Sequence, residues 1–408
     1  MSQTVETIES LKTNVYENIF IVDEDYTNKL ELLHYKECNN ESEQYLKDCR
    51  GVIKSEDKIV SKSFGYIDEL TVDDEGPVSD DSVSSRILDN NSKILKRIHS
   101  FNQTKIYPMY EGTVLRMFYW KHKWYLSTHK KLNAFDSKWG NSDCKTFGEM
   151  FIESLCYLTS KCSYNNGNSD VNNILTNPTE MWTVFDNFCF QLDTKKTYVF
   201  LLLHDRDTSI VCTRYAELPF CFHIGEFDNS THLLIEGNTS GLPSLPTLSF
   251  DNVFDLIENV RKMDHTAHPG VILYFPNQTQ LKLFNKNFKS ALELRGNQPD
   301  LLYRYFELRK NKELSSKFLE LYKDDEDHLM TSELALLEVS KLIFQAYMNR
   351  YIHKRYVFLP KCEHLVMQMC HKWHNENRDT NKISINKVLN ILEELPTKML
   401  YSIVKNHM

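Results

Sequence analysis

Residues 105–139, KIYPMYEGTVLRMFYWKHKWYLSTHKKLNAFDSKW, decide how this chain folds. A polar, turn-like entry leads into two β-rich runs, GTVLRMFYW and KWYLSTH, separated by Lys121 and His122. Their alternation of large and polar residues, rich in Val, Tyr, Trp and Thr, predicts a strand pair with a tight connection. Strand alternation puts Arg116, Phe118 and Trp120 on one face and Leu115, Met117 and Tyr119 on the other. Lys130 and Lys131 follow the second strand. With Tyr110 and Trp124, the rings and basic groups interleave as on a surface that holds single-stranded nucleic acid.

Upstream, CRGVIKSEDKIVSKSFGYIDEL begins at Cys49 and predicts strands over 51–55 and 58–63. Residues 27–38 read as a helix. The acidic, Ser-rich run 72–85, VDDEGPVSDDSVSS, reads as a surface loop. Downstream, TFGEMFIESLCYL has helical spacing, with Thr146 as N-cap and Glu149 completing a capping box. A polar loop over 163–178 follows. WTVFDNFCFQL, a turn at 193–196 and TYVFLLL then read as strand, turn and buried strand. A helix over 251–263 leads into a last hairpin, PGVILYF to LKLF. Beyond Pro299 the segments LLYRYFELRKN, LALLEVSKLIFQAYMNRYI, CEHLVMQMCHKWHNEN and INKVLNILEELPTKMLYSIV are helical in period. The expected class is therefore α+β, with a mixed domain over 1–298 and an all-helical domain over 299–408.

The 408 residues suffice for two domains, and 41% hydrophobic with 25% charged content marks a globular chain. No apolar run is long enough to span a bilayer. The start, MSQTVETIES, lacks a basic and apolar leader, so no secretory signal is expected. Ten cysteines without C-x-x-C pairs read as reduced thiols of a cytoplasmic protein. With 12 glycines and no glycine-rich phosphate loop, lysine and arginine must hold any nucleotide phosphate. The net charge of −8 excludes a uniformly basic coat but leaves room for a local basic groove. Cys362, His364, Cys370, His371 and His374 crowd one helix, but their spacing fits no standard zinc site, so no metal site is expected.

In their order along the chain, Cys49-Arg50-Gly51, Met109-Tyr110-Glu111-Gly112, Thr128-His129-Lys130-Lys131, the VFLLL strand, Pro269-Gly270 and Lys282-Leu283-Phe284 resemble the motifs of phage-type RNA ligases. These belong to the covalent nucleotidyltransferases and carry a ligase-type domain of antiparallel sheets with flanking helices, followed by helical additions. The resemblance implies nucleotide or phosphate contacts from Arg50, Glu111, Gly112, Arg116, Lys130, Lys131 and Lys282. It also implies that the family's nucleophilic lysine is replaced by Met109, a glutamate on the sugar by Leu201, a second glutamate by Pro269, and one of two closing lysines by Phe284. A thioether cannot form a phosphoramidate. No catalytic residue is therefore expected, and Lys105 is the one fallback nucleophile.

The expected function is nucleic-acid or nucleotide binding, or assembly, by a ligase-like chain that has lost ligation. The alternatives are an active RNA ligase or capping-type enzyme using ATP and Mg2+ with a non-standard lysine, and a virion structural protein. Implied partners are single-stranded RNA, nucleic-acid ends or other virion proteins, with no membrane. Chains of this style resemble those of large DNA viruses, which implies a virus factory or virion as the setting.

Overall fold

A computed structural model describes residues 18–73, 93–98, 100–140, 144–163, 178–203, 210–212, 220–378 and 381–408. The expected acidic loop lies, beyond Asp73, outside these residues, as does most of the polar loop at 163–178. The class is α+β, and the chain divides into two compact units, Met1–Ser290 and Ala291–Met408.

Among the described residues, the first unit carries three sheets. In the first, β1 (Ile19–Asp25), β2 (Leu30–Tyr35), β3 (Arg50–Ser55) and β4 (Lys58–Ser61) form an antiparallel meander. Residues 27–38 are thus a turn and a strand, not a helix. Asp25 accepts hydrogen bonds from the Asn28 amide and side chain, a local turn that competes with helix. Leu30, Leu32 and Leu33 are all buried, so both faces of β2 are covered and its alternation is blurred. β3 and β4 fall where the alternating pattern places them.

In the third sheet, β5 (Asp68–Val72) pairs parallel with β13 (Gln280–Asn285), followed by β12 (Gly270–Tyr274) and β6 (Lys105–Pro108). The second sheet runs β11 (Leu234–Ile235), β10 (Cys221–Asp228), β9 (Lys196–Leu203), β7 (Gly112–Trp120) and β8 (Lys123–Ser127). The central hairpin is as expected, with Phe118 opposite Tyr125 and Arg116 opposite Ser127.

Helices α1 (Phe147–Ser163) and α2 (Pro178–Gln191) cover the second sheet through Met150, Phe151, Phe185 and Phe188. Thr146 and Glu149 form the expected capping box, each amide donating to the other's side chain at 2.7 and 3.2 Å. α2 overturns the strand expected for WTVFDNFCFQL. Its buried Phe185, Phe188, Cys189 and Leu192 are spaced three and four apart, which only a helix brings to one face. α3 (Val253–Lys262) packs Leu256, Ile257 and Val260 on the third sheet.

The second unit is helical. Asp300 accepts the Tyr303 amide at 2.9 Å and caps α4 (Leu301–Leu308). The long α5 (Glu326–Tyr347), α6 (Lys361–Glu376), α7 (Ile385–Glu393) and α8 (Thr397–Lys405) share a core of Leu336, Val339, Ile343, Val366, Leu392 and Val404. The Cys/His segment lies within α6: Cys370 is buried in that core, the His371 ring stacks on Tyr351 and His374 Nδ1 is 2.7 Å from the Tyr347 hydroxyl.

A fragment ending at residue 298 should express as a folded protein with a cooperative urea transition. Recovery only as unfolded aggregate would show that the helices share one cooperative core with the sheets.

Candidate phosphate-binding site

Met109 follows β6 at the position where the resemblance puts a lysine. It is 7% exposed, and its methyl lies 3.0 Å from where a Cβ on Gly270 would project. Its amide donates to the Gly270 carbonyl at 2.8 Å, and its own carbonyl is 3.1 Å from His268 Nδ1. Backbone and side chain are thus both fixed against β12. The adjacent Glu111 carboxylate is buried and accepts from the amides of Ile210, Val211 and Cys212 at 3.0–3.1 Å. Such bonds stabilise the ionised carboxylate and hold the 210–212 segment over the end of β7, which starts at Gly112.

The second part of the site joins CRG to the close of the hairpin. Gly51 sits at φ +71°, and a Cβ there would fall 2.8 Å from the His129 Cα. Only glycine permits this approach of β3 to the 128–131 turn. The turn is pinned by Thr128 Oγ1, which accepts the amides of Lys130 and Lys131 at 3.2 and 3.0 Å. Arg116 lies behind it, 3% exposed, donating through Nη1 to the Gly51 carbonyl and through Nε to Ser127 Oγ at 3.1 Å. Its Nη2 is buried without a hydrogen-bond partner, as are His34 Nε2 and His129 Nδ1. The two imidazoles stand 5.3 Å apart. Burial pushes the Arg116 guanidinium down to about 9. Burial, with Arg50, His34, Lys130 and Arg116 around it, pushes His129 down to about 3.

The third part is on β13. Lys282 is paired across strands with Glu69 of β5, their charged atoms 3.0 Å apart, and Lys289 reaches the other Glu69 oxygen at 2.7 Å. Burial draws Lys282 below its usual value, Glu69 opposes that, and the nearby Arg50 and Lys289 charges add to it. Burial alone would raise Glu69, but Lys282 and Lys289 hold it below the usual carboxylate range. Phe284, 7% exposed, stacks on Phe288 at 5.9 Å, with Lys289 3.8 Å over its ring.

The structure therefore brings Arg50 within electrostatic reach of both Lys282 and the His129–Lys130 turn. Lys131 turns to Asp23 at 3.5 Å and stays half-exposed. Pro269 is buried beside Gly270, and Leu201 lies in β9 opposite Val114. Lys105 is exposed near Glu236 at 3.6 Å, at the far end of β6. Four strand steps put it about 13 Å from Met109.

The expected face of exposed rings around Arg116 is corrected. Phe118 is fully buried and stacked on Tyr125 at 5.1 Å, because the first sheet packs over this side of the hairpin through Leu32, Ile53 and Val60. Tyr110, Tyr119, Trp120 and Trp124 are partly buried. A cavity of about 990 Å³ opens beside β8 instead, between Asp23, Asp25, Trp124, Asp136, Glu149 and Trp182. Glu69, Lys289, His34 and His129 went unselected from sequence. Glu69 meets Lys282 through a parallel pairing 213 residues apart, which leaves no local signal.

No protein-family model matches the chain. It is 24% identical over 339 residues to the "Immediate-early protein ICP-46 homolog" of Invertebrate iridescent virus 6, covering 81% of this chain and 68% of that protein. It is 27% identical over 218 residues to the homolog of Invertebrate iridescent virus 3, and 24% over 217 residues to "Immediate-early protein ICP-46" of Frog virus 3. Those two matches span 53% and 50% of this chain and only 42% and 49% of the relatives' own lengths. Among solved structures, it is similar to a putative ATP-dependent DNA ligase from Aquifex aeolicus, at TM-score 0.40 and 12% identity, covering 94% of this chain and 89% of that one. An archaeal ATP-dependent RNA ligase gives TM-score 0.39 and 11% identity, covering 80% and 74%.

Because His129 binds its proton far less readily folded than unfolded, the unfolded chain takes up the extra proton between about pH 6.5 and 3. Stability from this group is full above 6.5 and is lost as pH falls through that window. His129→Gln should flatten the decline of the thermal midpoint from pH 7 to 4; a decline of unchanged slope would mean that the ring is solvated.

Proposed function

We propose that this chain keeps the scaffold of an RNA-ligase-type nucleotidyltransferase, has lost the covalent step, and uses the remaining cations to hold phosphates of nucleic-acid ends or nucleotides. The observation that carries this reading is Met109. A thioether fixed against Gly270 stands where the attacking amine is needed. Lysine attack on a triphosphate requires an amine and metal-supported neutralisation of charge. The residues present do not fit that chemistry. Glu111 is occupied by three backbone amides, and Leu201 and Phe284 have no group to bind a metal or neutralise a phosphate. ATP and Mg2+ therefore have no step in this account.

Phosphate binding is supported by the charges that stay together. Arg50, Lys130 and Lys282 come from three distant segments: Arg50 acts electrostatically on Lys282, and Arg50 and Lys130 both act on His34 and His129. Among the described residues Glu69 is the one carboxylate paired to Lys282 and Lys289, so the group keeps a net positive charge inside a protein of net −8. The viral relatives support a virus-encoded protein, and its action on nucleic acid in the virus factory of the infected cell is part of the proposal.

Labelled ATP or GTP with Mg2+ or Mn2+ should leave no adduct on the protein after denaturing electrophoresis. An acid-labile, base-stable adduct on any lysine would return the protein to the enzymes, with Lys105 the first to replace. In a salt series with 5′-phosphorylated single-stranded RNA, the triple variant Arg50→Ala/Lys130→Ala/Lys282→Ala should bind more weakly, its slope shallower by about two units. Equal affinities and slopes would remove phosphate binding from this site.

A further inference from the structure

The second unit carries a feature that the cleft reading leaves unused. From the end of α5 into the first turn of α6, residues 348–362 read MNRYIHKRYVFLPKC, with four cations and no acid in a chain of net charge −8. After a π-helical turn over Met348–Ile352, Lys354 turns the chain at φ +56° and it runs on outside any helix or strand to Pro360, tied down by the His353 and Arg355 amides donating to Met348 and Asn349. Val357 and Leu359 pack on the helical core. Their alternating neighbours Tyr356 and Phe358 point away and are 88% and 83% exposed. An isolated exposed ring is ordinary, but two that alternate with core-packed residues on an anchored segment form a surface. Around them Lys354 and Arg355 are exposed, and Lys354 and Arg378 lie close enough to weigh on the His371 ring, which is sandwiched against Tyr351 at 3.7 Å. None of Arg350, Lys354, Arg355 or Lys361 makes an ion pair among the described residues.

We propose that residues 350–361 are a docking strip for single-stranded nucleic acid, with bases stacked on Tyr356 and Phe358 and phosphates held by Lys354 and Arg355. The unpaired cations call for an anionic partner, and the adjacent exposed rings for one with flat faces to stack, a combination that single-stranded nucleic acid supplies. Rings flanked by cations are the arrangement that binds single strands without reading sequence. The strip lies in the helical unit and does not depend on Arg50, Lys130 or Lys282.

The test uses the full chain, fluorescence anisotropy, and labelled U20 and dT20 without a 5′-phosphate. Tyr356→Ala/Phe358→Ala should weaken binding tenfold or more, about 1.4 kcal/mol, with the salt slope unchanged. Lys354→Gln/Arg355→Gln should flatten the slope by about 1.4 units. Thermal melts should be unaltered, since these side chains are exposed. Similar losses with both oligonucleotides would fit stacking and charge; a loss confined to U20 would narrow the ligand to RNA and still support the strip. The same losses should appear in the Arg50→Ala/Lys130→Ala/Lys282→Ala background, which separates failure of the strip from failure of the cleft. The proposal is overturned if the ring variant binds both oligonucleotides as the wild type does, or if neither binds at all. It is equally overturned if the ring variant instead abolishes self-association in sedimentation, which would make the strip a contact for a second copy.

Discussion

The buried guanidinium of Arg116 is the constraint on which the first unit depends. It sits mid-strand in β7, donates to Gly51 of β3 and to Ser127 of β8, and has no carboxylate partner among the described residues. Burying such a charge costs several kcal/mol unless its hydrogen bonds are met. Here those bonds fasten the first sheet to the central hairpin. That attachment fixes Gly51 against His129, sets the 128–131 turn in place, and puts Arg50 at the edge of the junction. A scaffold held this way has a reason to keep its CRG and hairpin sequences whether or not any reaction remains.

The same junction explains how positive charge gathers around it. Arg116 and the neutral His34 lie inside with His129 partly buried beside them, while Arg50 and Lys130 stand nearer the surface and Lys282 on β13 and Lys289 just after it meet Glu69. Like charges at this density repel, and Glu69 offsets two of them. The buried Arg116 Nη2 donor that lacks a partner adds to the demand for an anion. At the positions that the family resemblance singles out, side chains are engaged in packing and backbone bonds: Met109 on Gly270, Glu111 on the 210–212 amides, Phe284 on Phe288.

Much of this was legible in the sequence where the signal is local. The CRG strands, the 112–127 hairpin, the Thr146 capping box, the β12–β13 hairpin and the C-terminal helices follow from alternation, helical period and turn residues. Residues 27–38 misled because a strand covered on both faces, LELLHY, loses its alternation. WTVFDNFCFQL misled because aromatic-rich runs satisfy strand preference while their spacing satisfies a helix. The exposed-ring face misled because alternation assigns residues to two faces without saying which is covered, and the first sheet covers Phe118. Pairs such as Lys282 with Glu69 depend on strand order, which no window of sequence contains.

The most direct measurement of the central claim is hydrogen–deuterium exchange of the full chain with and without a short 5′-phosphorylated single-stranded RNA. The account predicts slowed exchange at the start of β3, in the 128–131 turn and along β13, reduced in the Arg50→Ala/Lys130→Ala/Lys282→Ala variant. Unchanged exchange in all three segments under saturating RNA would contradict it and leave the fold as a scaffold with no phosphate to hold.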